Sequence, residues 1–221
     1  MDRLDFDKAR AMLRVWIRPD DTTPESGPDQ APRDRDSRTS RPLADGLRVV
    51  LGLEVDGSIE QVGAELVDAW GRPVEELFEL GLANVRAQGK PEATLLKGSD
   101  IRALSGPSPS VSSWLLALDD LFTGMPDDGG LAAVPESHMF LVMPILDASV
   151  AETIGPLIAL VDRLYQRGSL PTSSNLYWWR GRQLTLIPSR ITDKGVEFTP
   201  PDELVDVVNR LLEKASGQLP G

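Results

Sequence analysis

The stretch that most constrains the fold runs from Leu47 to Gly89, where an alternating strand pattern is followed by two helical patterns. Apolar side chains occupy every second position of the first segment, which predicts a strand with one fully apolar face. These residues are Leu47, Val49, Leu51, Leu53 and Val55. Asp56-Gly57 is a turn signal, and Ser58–Val62 is predicted to add a short second strand. The helices that follow are expected to dock against this sheet.

The helix pair carries its own start and stop signals. Glu65–Trp70 is predicted to form a short helix that ends at Gly71, and Pro73 stands where a second helix begins. Gly81 falls on the apolar stripe of that second helix, where glycine costs about 1 kcal/mol relative to alanine. A close approach to the sheet backbone is the expected reason. Asn84, beside the stripe, is expected to bond a neighbouring backbone group rather than a ligand.

The second half of the chain alternates between strand and helix patterns. The predicted strands are Ala93–Lys97, Leu131–Val134, His138–Met143, Leu176–Arg180 and Gln183–Ile187. Helical stripes follow Ser149 and Thr199. Gly181-Arg182 joins the last two strands, and glycine in first place favours a type II′ turn. The predicted fold class is α+β, with a mixed or mainly antiparallel sheet and helices packed on it.

The N-terminal part of the chain is predicted to lie outside this domain. Residues 4–17 place Leu4, Phe6, Ala9, Leu13, Trp16 and Ile17 near one face of an amphipathic helix. Residues 19–42 hold no large apolar side chain and many prolines, serines and charges, which predicts a disordered linker. The predicted division is a helix at 1–18, a linker at 19–42 and a single α+β domain at 43–221. The helix either packs back on the domain or docks on a partner.

The distribution of charge limits the kinds of partner. The net charge is −11, and residues 1–42 contribute nothing to it because they hold nine acids and nine bases. The remaining residues carry the whole excess of acid, which disfavours nucleic acid and anionic membrane surfaces. The chain has no cysteine, so thiol chemistry and disulfides are excluded. A cytoplasmic location is expected, since the acidic start MDRLDFDK does not resemble a secretory signal.

Several packing segments stand in a recognisable order: GLRVVLGLEVDG, ELVDAWG and PVEELFELGLANVRA, then HMFLVMPILDA and SSNLYWWRGRQL. Their order and spacing over roughly 120 residues resemble the YtpQ-like bacterial family, a domain family of unknown function. The resemblance implies an α+β fold and a cytoplasmic bacterial setting, and it brings no established activity. The chain departs from the family pattern at Pro144-Ile145-Leu146, where relatives carry Pro-x-Arg. Any role of that arginine is lost here.

The sequence contains no assembled catalytic motif. His138 is the only histidine, so a histidine base would have to be this residue. On a strand it would share a face with the apolar Phe140 and Val142. A single histidine in such a setting is typical of a structural residue rather than a catalytic one. The motifs of serine hydrolases and the phosphate-binding loops are absent from the sequence. Asp119-Asp120 and Asp127-Asp128 lack the ligand spacing of an EF-hand, and neither a cofactor nor a metal is predicted.

The segment Tyr177-Trp178-Trp179-Arg180, with Arg182 close behind, is the best candidate for an interaction surface. Strand alternation puts Tyr177 and Trp179 on one face and Trp178 on the other. Either an aromatic face is exposed, as binding hot spots favour, or the strand is buried on both faces. The exposure of Trp178 decides between these alternatives.

These observations favour a non-catalytic cytoplasmic protein-interaction or accessory protein. The predicted partner-binding residues are Tyr177, Trp178, Trp179, Arg180, Arg182 and Trp16. A second candidate surface is the acidic helix pair, which carries Glu65, Asp68, Glu75, Glu76 and Glu79. The alternative is a small-molecule-binding or hydrolytic enzyme with a cleft near His138 and Asn84.

Overall fold

The computed structural model describes residues 4–20, 36–122 and 124–217. The helices in these ranges are α1 Phe6–Ala9, α2 Ala64–Trp70, α3 Val74–Ala87, α4 Leu118–Leu121, α5 Val150–Arg167 and α6 Asp202–Gly217, and a 3-10 helix covers Val111–Ala117. The first strands are β1 Leu13–Pro19, β2 Ser40–Ala44, β3 Leu47–Val55, β4 Ser58–Gln61, β5 Glu92–Leu95 and β6 Arg102–Ser105. They are followed by β7 Gly130–Glu136, β8 Met139–Pro144, β9 Leu176–Arg180, β10 Gln183–Ile187, β11 Ser189–Thr192 and β12 Gly195–Phe198.

The strands form two antiparallel sheets and a separate hairpin. The small sheet has the order β1-β3-β2, with β4 also paired to β3. The large sheet has the order β10-β9-β7-β8-β6-β5, and β11 and β12 form a two-stranded sheet. Every pairing is antiparallel, and helices pack on the sheets. The predicted α+β fold class is confirmed.

The large sheet separates two apolar cores. One face packs on the small sheet, α2, α3 and the 3-10 helix, and it contributes Phe140, Val142, Tyr177 and Trp179. The other face packs on α5, α6 and β12, and it contributes Leu131, Leu141, Leu176 and Trp178. Strands β7, β8 and β9 are therefore buried on both faces, which explains their nearly continuous runs of apolar residues.

The prediction of a helix over residues 4–17 is wrong for most of that segment. Only α1 is helical, and β1 pairs with β3 from Leu13↔Leu53 to Pro19↔Leu47. Alternate side chains of β1 (Leu13, Val15 and Ile17) enter the core shared with α3. Leu13, Trp16 and Ile17 also fit a helical period, so the pattern did not distinguish the two structures. Backbone pairing with β3 together with burial on both faces decides for the strand.

The predicted linker and domain boundary also need correction. Residues 21–35 of the predicted linker lie outside the described residues. Ser40–Ala44 forms β2 and pairs with β3, so the boundary predicted at Leu43 falls inside a strand. Both β1 and β2 belong to the small sheet, and the N-terminal segment is part of the folded core rather than a tethered helix. Burial of Thr39 and Ser40 shows that polar composition alone does not keep a segment outside a fold.

The helix pair matches its prediction closely. α2 ends at Gly71, whose φ of +61° gives the left-handed cap that glycine adopts without strain. Pro73 directly precedes α3. None of the helices in the described ranges is long and apolar enough to cross a membrane.

Candidate interaction site

The aromatic segment proposed from the sequence is buried. Trp178 is 5% exposed and Trp179 is 7% exposed, while Tyr177 has no exposed surface. The indole Nε1 of Trp178 donates to the Asp128 carbonyl at 2.9 Å, and the Tyr177 hydroxyl donates to the Asp45 carbonyl at 3.0 Å. The strand is the doubly buried alternative, because one face of the large sheet packs on the small sheet and the other on α5. These three side chains are not available to a partner at the surface.

The two arginines of that segment do lie at the surface, each with local contacts. Arg182 Nε donates to Asp119 Oδ2 at 2.7 Å, and Arg180 Nε donates to the Asp127 carbonyl at 3.1 Å. Both residues of the Gly181-Arg182 loop have positive φ, +55° and +66°. This is a type I′ turn, so the predicted type II′ turn is wrong. The position of glycine alone did not reveal that Arg182 would also adopt a left-handed conformation.

Trp16, the remaining predicted partner-binding residue, is only 8% exposed. Its Nε1 donates to Ser137 Oγ at 3.1 Å, and the Arg18 guanidinium lies 4.4 Å from the ring centroid. Trp16 therefore connects the small sheet to the β7–β8 turn. Its role in the structure is packing and hydrogen bonding within the chain.

Asn84 and His138 each contact other parts of the chain. Asn84 Nδ2 donates to the carbonyls of Arg10 at 2.7 Å and Leu13 at 3.0 Å, so the expected bond to neighbouring backbone is present. His138 lies in the turn between β7 and β8 and not on a strand as predicted, and its carbonyl accepts from Gly106 N. β7 continues to Glu136 and pairs there with Met139, so β8 begins one residue later than predicted and His138 is left in the turn. The enzyme cleft predicted near these two residues finds no support in their placement.

The acidic helix pair is exposed, and arginines pair with much of its charge. Asp68 Oδ2 lies 2.5 Å from Arg38 Nη1, and Glu75 Oε1 lies 3.2 Å from Arg41 Nη2. Glu76 pairs with Arg72 one turn earlier in the chain, at 3.6 Å. Surface pairs of this kind contribute little to stability, yet they reduce the local excess of negative charge. The acidic side of α2 and α3 is therefore a solvated surface whose negative charge is partly neutralised by arginines.

The open edge of β5 is the surface best suited to holding another chain. β5 ends the six-stranded sheet, all four of its residues are exposed, and Leu95 is 60% exposed. In the described part of the chain no strand pairs with its outer side. A strand at a sheet edge presents unpaired N–H and C=O groups to an incoming segment.

Hydrogen bonding identifies which backbone groups of β5 point outward. Leu96 N donates to the Ile101 carbonyl at 2.8 Å, so this residue faces β6. Alternation along an antiparallel strand then directs Thr94 and Glu92 to β6, and Ala93 and Leu95 to the open side. On the other side of β6, Gly106 N donates to the His138 carbonyl, as the same alternation of inward and outward backbone groups requires. Two donors and two acceptors are therefore available on the outer side of β5.

A groove adjoins the beginning of β5. It encloses about 430 Å³ between the end of α3, the start of β5 and the loop that follows β6. Trp114 and Val111 form its buried apolar part, and Pro91 and Pro107 line it as well. Two other cavities that the structure describes are smaller, about 170 and 80 Å³. The sequence predicts a strand at Ala93–Lys97 but gives no sign that this strand is an edge or that a groove adjoins it.

A polar network holds the wall of this groove. Glu54 accepts from Arg14 Nε at 2.8 Å and from Ser108 Oγ at 2.6 Å. Gln88 Nε2 donates to the same carboxylate at 2.5 Å, and Ser110 Oγ donates to Gln88 Oε1 at 3.0 Å. The Arg14 and Glu54 side chains are each 12% exposed. The network joins β1, β3, the end of α3 and the serine-rich loop, and fixes the position of the loop beside the groove.

Within the described ranges, no group of three or more His, Asp or Glu side chains is placed to hold a metal ion. No protein-family model matches the chain, and neither does any curated protein or solved structure.

Proposed function

We propose that this protein is a non-catalytic binding protein that holds an extended segment of a partner protein along the outer edge of β5. The observation that carries the proposal is the outward backbone of Ala93 and Leu95 at the end of the six-stranded sheet. An added strand would form up to four backbone hydrogen bonds there. Each contributes on the order of 0.5–1.5 kcal/mol net. The exposed Leu95 side chain supplies an apolar contact on the same edge.

The flanks of β5 support a single short segment rather than unlimited sheet growth. Lys90-Pro91 precedes the strand and Lys97 follows it. Lysine and proline at sheet edges oppose edge-to-edge aggregation, while the four residues of β5 stay open. The acidic net charge supports a protein partner over nucleic acid. The relation to the YtpQ-like family, and the bacterial cytoplasmic setting that it implies, remain part of this proposal.

The experiment is selection of random dodecapeptides by phage display on the full chain, followed by affinity measurement on two variants. Ala93→Pro removes the outward N–H without touching the bonds to β6, and proline is tolerated at such edge positions. Ala93→Val keeps the N–H and is the matched control. Selected peptides are expected to bind Ala93→Val as they bind the wild type and to bind Ala93→Pro about tenfold more weakly.

Circular dichroism and thermal unfolding would verify that both variants are folded. Failure to select any peptide, or equal binding to the proline and valine variants, would show that the β5 edge is not the binding surface.

A further inference from the structure

We propose that the groove beside β5 receives the carboxy-terminal residue of the bound segment. Its apolar side chain packs on the rings of Pro91 and Pro107, next to the largely buried Trp114 and Val111, and its free carboxylate lies beside Lys90. This inference rests on the proposed strand addition at β5 and specifies which part of the partner is recognised.

The direction of the sheet determines which end of the segment reaches the groove. All neighbouring strands of the large sheet are antiparallel, and an added strand that continues this pattern runs opposite to β5. Such a strand enters beside Leu95 and ends beside Glu92. The groove is lined by residues 88–92, at that same end of β5. An antiparallel segment therefore delivers its carboxyl end to the groove.

The charges around the groove favour a carboxylate. Lys90 is the one cation among the residues that line it, and it forms no ion pair with another described residue. Glu92 also lines the groove. Across the sheet it pairs with Ser105, and Ser105 pairs with Met139, so the three side chains lie on the same face. Met139 packs in the core beside α5. Strand alternation thus directs the Glu92 side chain toward that face, away from Trp114.

The Glu54 carboxylate and two carbonyls at the end of α3 are also close to the groove, and each is already bonded within the chain. Glu54 is paired with Arg14. The carbonyls of Val85 and Arg86, in the last turn of α3, accept from Gln88 N and Gly89 N. A helix carboxyl end repels an anion through such carbonyls, and these two are already engaged. Lys90 is left as the cation available to the terminal carboxylate of a ligand.

The size and lining of the groove fit a single terminal residue. The volume of about 430 Å³ lies within the range of small-ligand sites, roughly 300–1,000 Å³. The rings of Pro91 and Pro107 supply its accessible apolar surface, and Trp114 and Val111, which are 4% and 7% exposed, contribute only a small part of it. The polar groups of Gln88 and Ser108 stand on one wall, where the Glu54 network orients them. A ligand with one apolar side chain and one carboxylate matches this distribution.

The test compares two libraries of the same random peptide, one ending in a free carboxylate and the other continued by a fixed polar tail. Enrichment from the free-carboxylate library, with an apolar last residue, is the expected result. Equal enrichment from both libraries, with Ala93→Pro still weakening binding about tenfold, would overturn this inference and leave the proposed function intact. Enrichment from neither library would overturn both proposals.

Two lysine variants test the direction of the bound segment. Lys90→Gln and Lys97→Gln remove the same charge at opposite ends of β5, and both side chains are exposed. Lys90→Gln is expected to weaken a free-carboxylate peptide by about twofold to fivefold, the scale of an exposed ion pair, while Lys97→Gln has little effect. The reverse ranking would mean that the segment runs parallel to β5 with its carboxylate at the other end, which contradicts the inference.

Occupancy of the groove has a direct spectroscopic readout. The indole N–H signal of Trp114 is assigned in a two-dimensional NMR spectrum by its loss in Trp114→Phe. A free-carboxylate peptide is expected to shift this signal because Trp114 lines the groove, and the signals of Trp178 and Trp179 stay in place because those rings do not line it. A peptide that binds the β5 edge without moving the Trp114 signal would exclude the groove as the binding site.

Discussion

The backbone of Val15 passes so close to α3 that a Cβ built on Gly81 would stand 3.0 Å from the Val15 nitrogen. The Arg14 carbonyl carbon would be equally close. The close approach that the sequence predicts for Gly81 is therefore present. The neighbouring backbone belongs to β1, the segment whose pattern predicted a helix.

Gly81→Ala is expected to destabilise the protein by up to about 2 kcal/mol. Helix propensity alone would favour alanine by about 1 kcal/mol, but overpacking against backbone costs about 1–3 kcal/mol. β1 cannot move away easily because it is hydrogen-bonded to β3 along its whole length. Chemical denaturation measures the difference. Ala83→Gly, at an exposed position of the same helix, calibrates the propensity, and a Gly81→Ala variant more stable than wild type would contradict the close approach.

Asn84→Ala is expected to lower the free energy of unfolding by about 1–3 kcal/mol, since the carbonyls of Arg10 and Leu13 lose their shared donor. Asn84→Asp is expected to cost more near neutral pH, because a carboxylate would face two carbonyl oxygens. Urea titrations of both variants test this order. If both substitutions left stability unchanged, Asn84 would not hold α1 and β1 against α3.

Glu54→Gln is expected to destabilise the fold by about 2–3 kcal/mol, between the values for surface and buried ion pairs. The substitution leaves the mostly buried Arg14 guanidinium without its carboxylate and loosens the Ser108 and Gln88 contacts. Glu60→Gln, on the exposed side of β4, is the control, with an expected change within about 0.5 kcal/mol. Equal effects of the two substitutions in thermal or chemical unfolding would contradict the role of the network.

Arg182→Gly is expected to stabilise the protein by about 0.5–1 kcal/mol. A non-glycine residue in the left-handed region costs about 1–2 kcal/mol, and the gain is reduced by the loss of the exposed pair with Asp119 and by the larger entropy of glycine in the unfolded chain. Asp119→Ala measures the contribution of the ion pair separately. A decrease in melting temperature larger than that of Asp119→Ala would argue against strain at Arg182.

Burial raises the pKa of Tyr177, whose hydroxyl donates to the Asp45 carbonyl. At pH values below the ordinary tyrosine pKa near 10, the group is protonated in both the folded and the unfolded chain. Above it, the folded chain holds this proton more tightly than the unfolded chain, so stability falls as pH rises through the folded pKa.

The chain has two tyrosines, so the comparison of wild type with Tyr177→Phe isolates this group. The phenolate absorbance lost in the variant is expected to titrate above pH 10, with unfolding in the same range. Titration of the lost component at or below pH 10 would contradict burial of the hydroxyl.

Local sequence patterns predicted an element correctly where a single secondary structure fitted both its apolar periodicity and its turn or capping residues. The alternating face of Leu47–Val55, the glycine stop at Gly71 and the start at Pro73 each predicted an element that the structure contains. The segment at Leu13–Pro19 was different, because its apolar spacing fits two periods and its strand partner β3 lies more than twenty residues later in the chain. Pairing over that distance leaves no local signal.

The candidate site was still less predictable. A run of large aromatics such as Tyr177-Trp178-Trp179 occurs both in binding surfaces and in doubly buried strands, and the choice depends on what packs against each face. Ala93 and Leu95 are unremarkable in composition. They matter because β5 pairs with β6 on one side only, which is a property of the sheet order.

The sequence by itself determined the α+β class, the helix pair with its glycine contact, the hairpins of the second half and the acidic surface. Periodicity, turn residues and charge are local, and each is readable without knowledge of the partner element. The tertiary structure alone decided that the N-terminal segment is a strand, that the aromatic strand is buried on both faces and that β5 is left as an edge. These features depend on which distant segments meet, because burial and strand pairing are properties of two elements together.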